Sequence, residues 1–265
     1  MAVTRQQLKD IKSLRTKKGR NAHNKFVAEG VRLLETALER SKLPQTILCA
    51  PEALSERATA LVERFRHSGV QVEEVSSSQL ASVADTETPQ GVIGVFPHPA
   101  VDLETVYGRH LQRIVICDGV SDPGNLGTLI RSALAFDFHL LVVTNSSADP
   151  YSPKVVRSSV GALFALTIAA ESETDVLALL EKEMFELIVT SNQHGSDTSA
   201  FRAAVRTDRL AVAIGSESKG VSPAIVERSQ LAWRVNHSTQ VESLNAAIAG
   251  SIVLKEIYDL RSPSA

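Results

Sequence analysis

Five short apolar runs, at residues 114–117, 140–143, 185–190, 210–214 and 231–235, recur along the second half of the chain with helical segments between them. This alternation limits the fold more than any other feature of the sequence. Runs that are apolar and β-branched throughout suit strands covered on both faces, and such strands separated by helices form a mostly parallel sheet. The first part of the chain repeats the pattern more loosely. Residues 26–28, 46–49, 70–75 and 92–96 read as strands, and 31–40 and 53–66 as helices with one apolar side, again implying a mostly parallel sheet. Pro97-His98-Pro99 interrupts this run. The expected organisation is therefore an N-terminal α/β unit over 1–97, a linker with one short helix over 98–111, and a C-terminal α/β unit over 112–265. At 265 residues the chain is long enough for two domains, each with its own core.

Three segments of the C-terminal unit carry chemistry. Residues 118–136, DGVSDPGNLGTLIRSALAF, follow a strand, turn at Asp122-Pro123-Gly124-Asn125 and continue at helical spacing. Asn125 is expected near the helix start and Arg131 within the first two turns, where the helix dipole favours anions; an anionic group such as an RNA phosphate would hold the arginine there. Residues 214–220, IGSESKG, follow another strand with GxxxxG spacing, but Val221-Ser222 stand where a phosphate-binding loop needs Lys and Ser or Thr. No GxGxxG follows a strand, so a dinucleotide fold lacks its fingerprint. Glycines at Gly215 and Gly220 suit close backbone approach to a ligand or tight turns. In the third segment, VESLNAAI at 241–248, Ser243 stands where a helix cap belongs and Asn245 two positions further on.

These segments, in this order, resemble the three motifs of the SpoU/TrmH branch of the SPOUT RNA methyltransferases, over roughly residues 111–260. The resemblance implies a C-terminal trefoil-knotted methyltransferase domain, joined here to a smaller N-terminal RNA-binding domain. It implies a homodimer paired through the C-terminal domain, and S-adenosylmethionine as cofactor. Cofactor contacts would come from Thr190, Ser191 and Asn192, from Ile214, Gly215, Glu217 and Gly220, and from Val235, Leu244 and Asn245. The implied reaction is methyl transfer to a ribose 2′-oxygen of structured RNA, 23S ribosomal RNA ahead of transfer RNA. Arg131, Asn125, Glu217, Ser243 and Asn245 would form the catalytic set, with Glu217 fixing Arg131 and Asn125 positioning Arg131 or the ribose. A literal arginine base is excluded, because a guanidinium is effectively never deprotonated in proteins. The chain departs from the family at Asp137, where glycine is usual and a left-handed residue is commonly needed.

Net charge adds a partner. The whole chain carries −2, but residues 1–25 carry +7, so the remainder carries −9. A basic arm on an acidic body suits a polyanion, and Lys17, Lys18, Arg20 and Asn21 resemble a flexible phosphate-contacting loop. Arg157, in PKVVRSS at 153–159, is either a further RNA contact or a surface-helix arginine. Cys49 and Cys117 lie in expected strands without CxxC spacing, so no metal or disulfide is expected. No apolar stretch reaches the length of a membrane span and no apolar segment follows the basic N-terminus, so a cytoplasmic protein without a signal peptide is expected. The last helix, over 244–260, is apolar on nearly every side from 246 to 254 and is expected to be buried all round there. Two further classes stay open at this point: a non-catalytic RNA-binding or ribosome-assembly factor on the same fold, and a nucleotide-dependent oxidoreductase.

Overall fold

A computed structural model describes residues 3–99, 101, 112–191, 195 and 197–261. Most of the expected linker, and Asn192, lie outside the described residues. The chain divides into two compact units, Met1–Ala100 with Tyr151–Ala165, and Val101–Pro150 with Leu166–Ala265.

In the first unit the elements run α1 (Arg5–Ser13), α2 (Lys17–His23), β1 (Lys25–Glu29), α3 (Val31–Glu39), β2 (Thr46–Cys49), α4 (Glu56–His67), β3 (Gln71–Glu74), α5 (Ser77–Val83) and β4 (Val92–Pro97). The sheet order is β1-β4-β2-β3. Here the expectation of a mostly parallel sheet fails. β2 and β3 are parallel, but β4 pairs antiparallel with both β1 and β2. The helical crossovers do keep β1, β2 and β3 pointing one way; the last strand then inserts between the first two in the opposite sense, which no periodicity encodes.

The basic segment is helical, not a flexible loop. Thr4 and Gln7 form a reciprocal capping box at the start of α1, and Thr16 caps α2 by accepting from the Gly19 N–H at 3.1 Å. Arg20 is only 2% exposed, and its Nη1 donates to the Leu14 carbonyl at 2.8 Å, near the end of α1. It therefore drops out as an RNA contact, whereas Lys17, Lys18 and Asn21 are exposed.

The second unit contains β5 (Arg113–Asp118), α6 (Pro123–Ala135) and β6 (Leu140–Thr144). The chain then visits the first unit, where α7 (Pro153–Ser158) packs on β1. It returns as β7 (Thr167–Glu171), α8 (Glu173–Lys182), β8 (Glu186–Thr190), α9 (Thr198–Val205), β9 (Leu210–Gly215), α10 (Pro223–Arg228), β10 (Leu231–Trp233) and α11 (Ala246–Arg261). The reading of 112–265 as one continuous unit thus differs from the structure over 151–165. Tyr151 and Phe164 explain the excursion: their rings pack at a tilt against Phe26 at 5.0 and 6.4 Å, and Phe164 meets Phe96 at 4.9 Å. In the same unit Arg157, one third exposed, pairs with Asp85 at 2.5 Å, so part of its guanidinium is committed within the protein.

All six strands of the second sheet are parallel, in the order β10-β8-β9-β5-β6-β7. Every residue of β5, β6 and β9 is buried, as continuous apolar strands require. The sequence of chemistry follows from this order. β9 enters late and pairs with β5 in register Asp118↔Gly215, so the loops after both strands leave from the same edge. Ligands of open parallel sheets bind where neighbouring connections diverge at the carboxyl ends of strands.

Two expectations about helix ends are settled by geometry. Asp137 is left-handed at φ 61°, as the position demands, and its carboxylate pairs with the Arg113 guanidinium, which is nearly buried. Aspartate enters the left-handed region more readily than most residues, so the departure from glycine is accommodated. The last helix is not buried all round between 246 and 254, because Ile248 is 54% exposed. Its other face is closely packed: a Cβ on Gly250 would lie 2.6 Å from Ile214 Cδ1 and 2.8 Å from Leu129 Cδ2. Glycine costs a helix interior about 1 kcal/mol; here it lets α11 close on β9 and α6.

Candidate active site

At the carboxyl ends of β8, β9 and β10 the second unit opens into a cavity of about 370 Å³, within the roughly 300–1,000 Å³ range of small-molecule sites. Eight of the ten expected cofactor residues line it: Thr190 and Ser191 after β8, Ile214 and Gly215 at the end of β9, Glu217 and Gly220 in the next loop, and Val235 and Leu244 after β10. Asn245 does not line it. Sequence reasoning missed Val226, Trp233, Arg234 and His237, which also face the cavity. Strand alternation does not single out Arg234, because Ala232, Trp233 and Val235 all line the cavity as well.

The β9 loop is shaped by its own backbone. Ser216 and Gly220 exchange two backbone hydrogen bonds, at 3.0 and 2.9 Å. A Cβ on Gly215 would stand 2.1 Å from the Gly220 carbonyl carbon and 2.2 Å from the Val221 nitrogen. Gly215 is therefore required by the returning loop, the tight-turn alternative that the sequence leaves open. Gly220 has φ 68° with open space around its Cα, so glycine serves the left-handed conformation there. Asp118 clamps the end of this loop. Its carboxylate, 5% exposed, accepts from Thr144 Oγ1 at 3.0 Å and from the Ser222 N–H at 2.7 Å. This residue opens the first motif, yet its role depends on partners 26 and 104 positions away, so it was not singled out.

Three of the expected catalytic residues converge. Asn125 Nδ2 donates to Glu217 Oε1 at 2.7 Å; Asn245 Nδ2 donates to the same oxygen at 2.8 Å and to Asn125 Oδ1 at 3.0 Å. Asn125 is held by Asp122, which caps α6 by accepting from the Asn125 N–H at 2.8 Å. Asn245, not Ser243, caps α11: its Oδ1 accepts from the N–H groups of Ala247 and Ile248 at 3.0 and 3.2 Å. The helix thus begins later than expected, and a side chain with both an acceptor and a donor is needed at its cap. Ser243 is exposed and lines the cavity.

Arg131 is exposed and has no hydrogen-bond or ion-pair partner among the described residues. Glu217 therefore does not fix Arg131, and Asn125 orients Glu217 instead. Because α6 starts at Pro123, Arg131 is also deeper in the helix than the first two turns, where the dipole argument no longer applies. Elsewhere in the unit, burial pushes the Cys117 thiol well above its usual range, so the thiol stays protonated.

A small-molecule site at the diverging carboxyl ends of a parallel sheet, with three motif loops tied through one carboxylate, defines a ligand-binding α/β enzyme domain. The residues present suit S-adenosylmethionine: Ile214, Val226 and Leu244 offer apolar faces, Glu217 a carboxylate, and Arg234 an enclosed donor without an acceptor among the described residues. Residues 112–255 match the model of the SpoU rRNA Methylase family and 5–94 that of the MRM3-like substrate binding domain. The chain is 32% identical to a Bacillus subtilis 23S rRNA (guanosine(2553)-2′-O)-methyltransferase, covering 97% of this chain and 96% of that protein. It is 30% identical to a 23S rRNA (uridine(2479)-2′-O)-methyltransferase of Streptomyces viridochromogenes, over 89% and 83% of the two chains. An AdoMet-bound rRNA methyltransferase from Sinorhizobium meliloti superposes with a TM-score of 0.84 at 26% identity, over 99% and 98%. The protein belongs to the SpoU rRNA methylase family. It is a methyltransferase that uses S-adenosylmethionine.

Proposed function

We propose that this chain methylates a ribose 2′-hydroxyl in the RNA of the large ribosomal subunit. The observation that carries the proposal is the convergence of Asn125, Glu217 and Asn245, one from each motif, beside a cofactor-sized cavity. Two relatives modify 23S ribosomal RNA at the ribose oxygen, one at guanosine and one at uridine, which fits chemistry that does not depend on the base. Bound S-adenosylmethionine supplies an electrophilic methyl with its own leaving group. The protein then has to align the ribose oxygen and stabilise the charge developing on it. Arg131, exposed and uncommitted, is suited to grip a phosphate beside the target ribose and stabilise the forming alkoxide. The hydroxyl proton leaves to water or a phosphate oxygen, since the guanidinium cannot accept it. The Asn125–Glu217–Asn245 network keeps the α6 start, the β9 loop and the α11 start in one arrangement while RNA binds. In the first unit, the exposure of Lys17, Lys18 and Asn21 on α2 supports them as contacts to RNA phosphates.

Arg131→Ala is expected to lower methyl transfer about 100-fold or more while leaving the S-adenosylhomocysteine Kd within about threefold. Single-turnover assays on an rRNA fragment and calorimetry separate the two quantities, and equal losses in both would remove Arg131 from the reaction.

The same reading includes a cytoplasmic homodimer and the trefoil knot. No helix among the described residues is long and apolar enough to cross a membrane. α11 packs back on α6, the first described helix of the unit, with Ser132 and Ser251 hydroxyls 2.7 Å apart and the Phe136 and Tyr258 rings at 6.0 Å. Ile248 stands exposed on the outer side, as a dimer seam would require. Ile248→Arg is expected to shift the protein from dimer to monomer in sedimentation at micromolar concentration; a wild-type monomer would end the dimer reading.

A further inference from the structure

Arg234 follows directly on β10 and lines the cavity beside Thr190 and Val235. Its side chain is half-buried, its Nε–H is enclosed, and that donor finds no acceptor among the described residues. Nor does any ion pair reach the guanidinium among them. Fully enclosed donors on a permanent cation are rare unless something matches them, because the group loses water and gains nothing in return. The backbone around it leaves little slack: a Cβ on Gly195 would lie 2.9 Å from Arg234 Cβ and 3.1 Å from its nitrogen. A bare glycine therefore sits against the base of the arginine. The other charged residues that line the cavity differ. Glu217 is engaged by Asn125 and Asn245, and Lys219 is exposed.

We propose that Arg234 recognises the carboxylate of the cofactor's amino-acid portion. The proposal rests on the cofactor assignment made above. A guanidinium presents its donors as a planar fork that matches a carboxylate, and in a half-open cavity such a pair meets less competition from water than it would on the surface. A phosphate of the RNA chain is the less suitable partner, because Arg234 lines a cavity of small-molecule size.

The test is calorimetry on the full chain with two probes, S-adenosylhomocysteine and 5′-methylthioadenosine. Both carry the adenosine and the thioether, and only the first carries the amino-acid portion. Wild-type protein is expected to prefer S-adenosylhomocysteine. Arg234→Met is expected to weaken S-adenosylhomocysteine about 10- to 100-fold and to leave 5′-methylthioadenosine within about twofold, so that the preference collapses. Arg234→Lys keeps the charge without the fork and is expected to fall between, which keeps the comparison open if the methionine variant folds poorly. Equal weakening of both probes would assign Arg234 to structure alone. An unchanged preference, with a shallower salt dependence of RNA binding, would assign it to a phosphate; either result overturns the proposal. Failure of the wild-type chain to bind either probe would remove the cofactor assignment itself, an outcome distinct from loss of the Arg234 assignment.

Discussion

Replacing Asn245 with aspartate is expected to lower kcat/KM for methyl transfer by roughly 10- to 100-fold, the scale that small misplacements of reacting groups produce. The melting temperature should fall by only a few degrees, corresponding to about 1 kcal/mol. The two effects separate because the two atoms of the amide do different work. Oδ1 caps α11, and aspartate retains that acceptor. Nδ2 donates to Glu217 Oε1 at 2.8 Å, and aspartate would place a second carboxylate oxygen there. Two carboxylates so close cannot both stay ionised without moving apart. The site is exposed, so solvent limits the cost in stability, while the loops that carry Asn125 and Glu217 lose their shared anchor. Adding Glu217→Gln restores a donor facing the new carboxylate, and the double variant should recover part of both losses. Melting curves and single-turnover rates for the two single variants and the double variant form the cycle. Strictly additive losses would show that the contact carries no coupling.

Gly215→Ala is expected to abolish measurable S-adenosylhomocysteine binding and to destabilise the protein by about 3 kcal/mol or more, the upper end of what overpacking produces. The added methyl would overlap the Gly220 carbonyl and the Val221 nitrogen, and backbone cannot rotate away as a side chain could. The loop would have to open, breaking the paired Ser216 and Gly220 hydrogen bonds. Gly220→Ala provides the control. It meets no atom within 4 Å, so its cost is the left-handed conformation, roughly 1–2 kcal/mol, and cofactor binding should weaken modestly. Thermal melts and calorimetry on both variants check the contrast. If Gly215→Ala bound the cofactor as well as Gly220→Ala, the loop would not be the element that shapes the cavity.

The strands of the second unit were legible almost to the residue, because continuous apolar runs have few other uses. β7, TIAAE, was missed: as an edge strand it is buried at only two of five positions and its apolar signal is weak. In the first unit, α1 and α2 read as a flexible basic arm, since their charge pattern dominates and their caps, Thr4 and Thr16, are quiet signals. The charge of Arg20 misled for the same reason. Burial of an arginine depends on which carbonyl the fold brings to it, and Leu14 is the carbonyl here. The cavity lining was largely anticipated, but through resemblance to a family, and the reasons assigned to single residues changed. Gly215 answers to the loop's own backbone, Asn245 caps the helix in place of Ser243, and Glu217 holds two asparagines instead of Arg131.

By itself the sequence determined what local chemistry can determine: which segments are strands, where glycine and proline break them, which residues carry charge, and which polar groups stand at helix starts. Each of those depends on neighbours within a few positions. The tertiary structure alone decided which of these residues meet. Late pairing of β9 beside β5 brings Gly215 next to Asp118, and with it Glu217 to Asn125, 92 positions earlier. Return of α11 onto α6 brings Asn245 to Asn125 across 120 positions. Such contacts depend on how buried strands order themselves to cover their faces, a collective property of the whole sheet. No spacing along the chain encodes it, and so the same residues that announce a methyltransferase in one dimension become a site only in three.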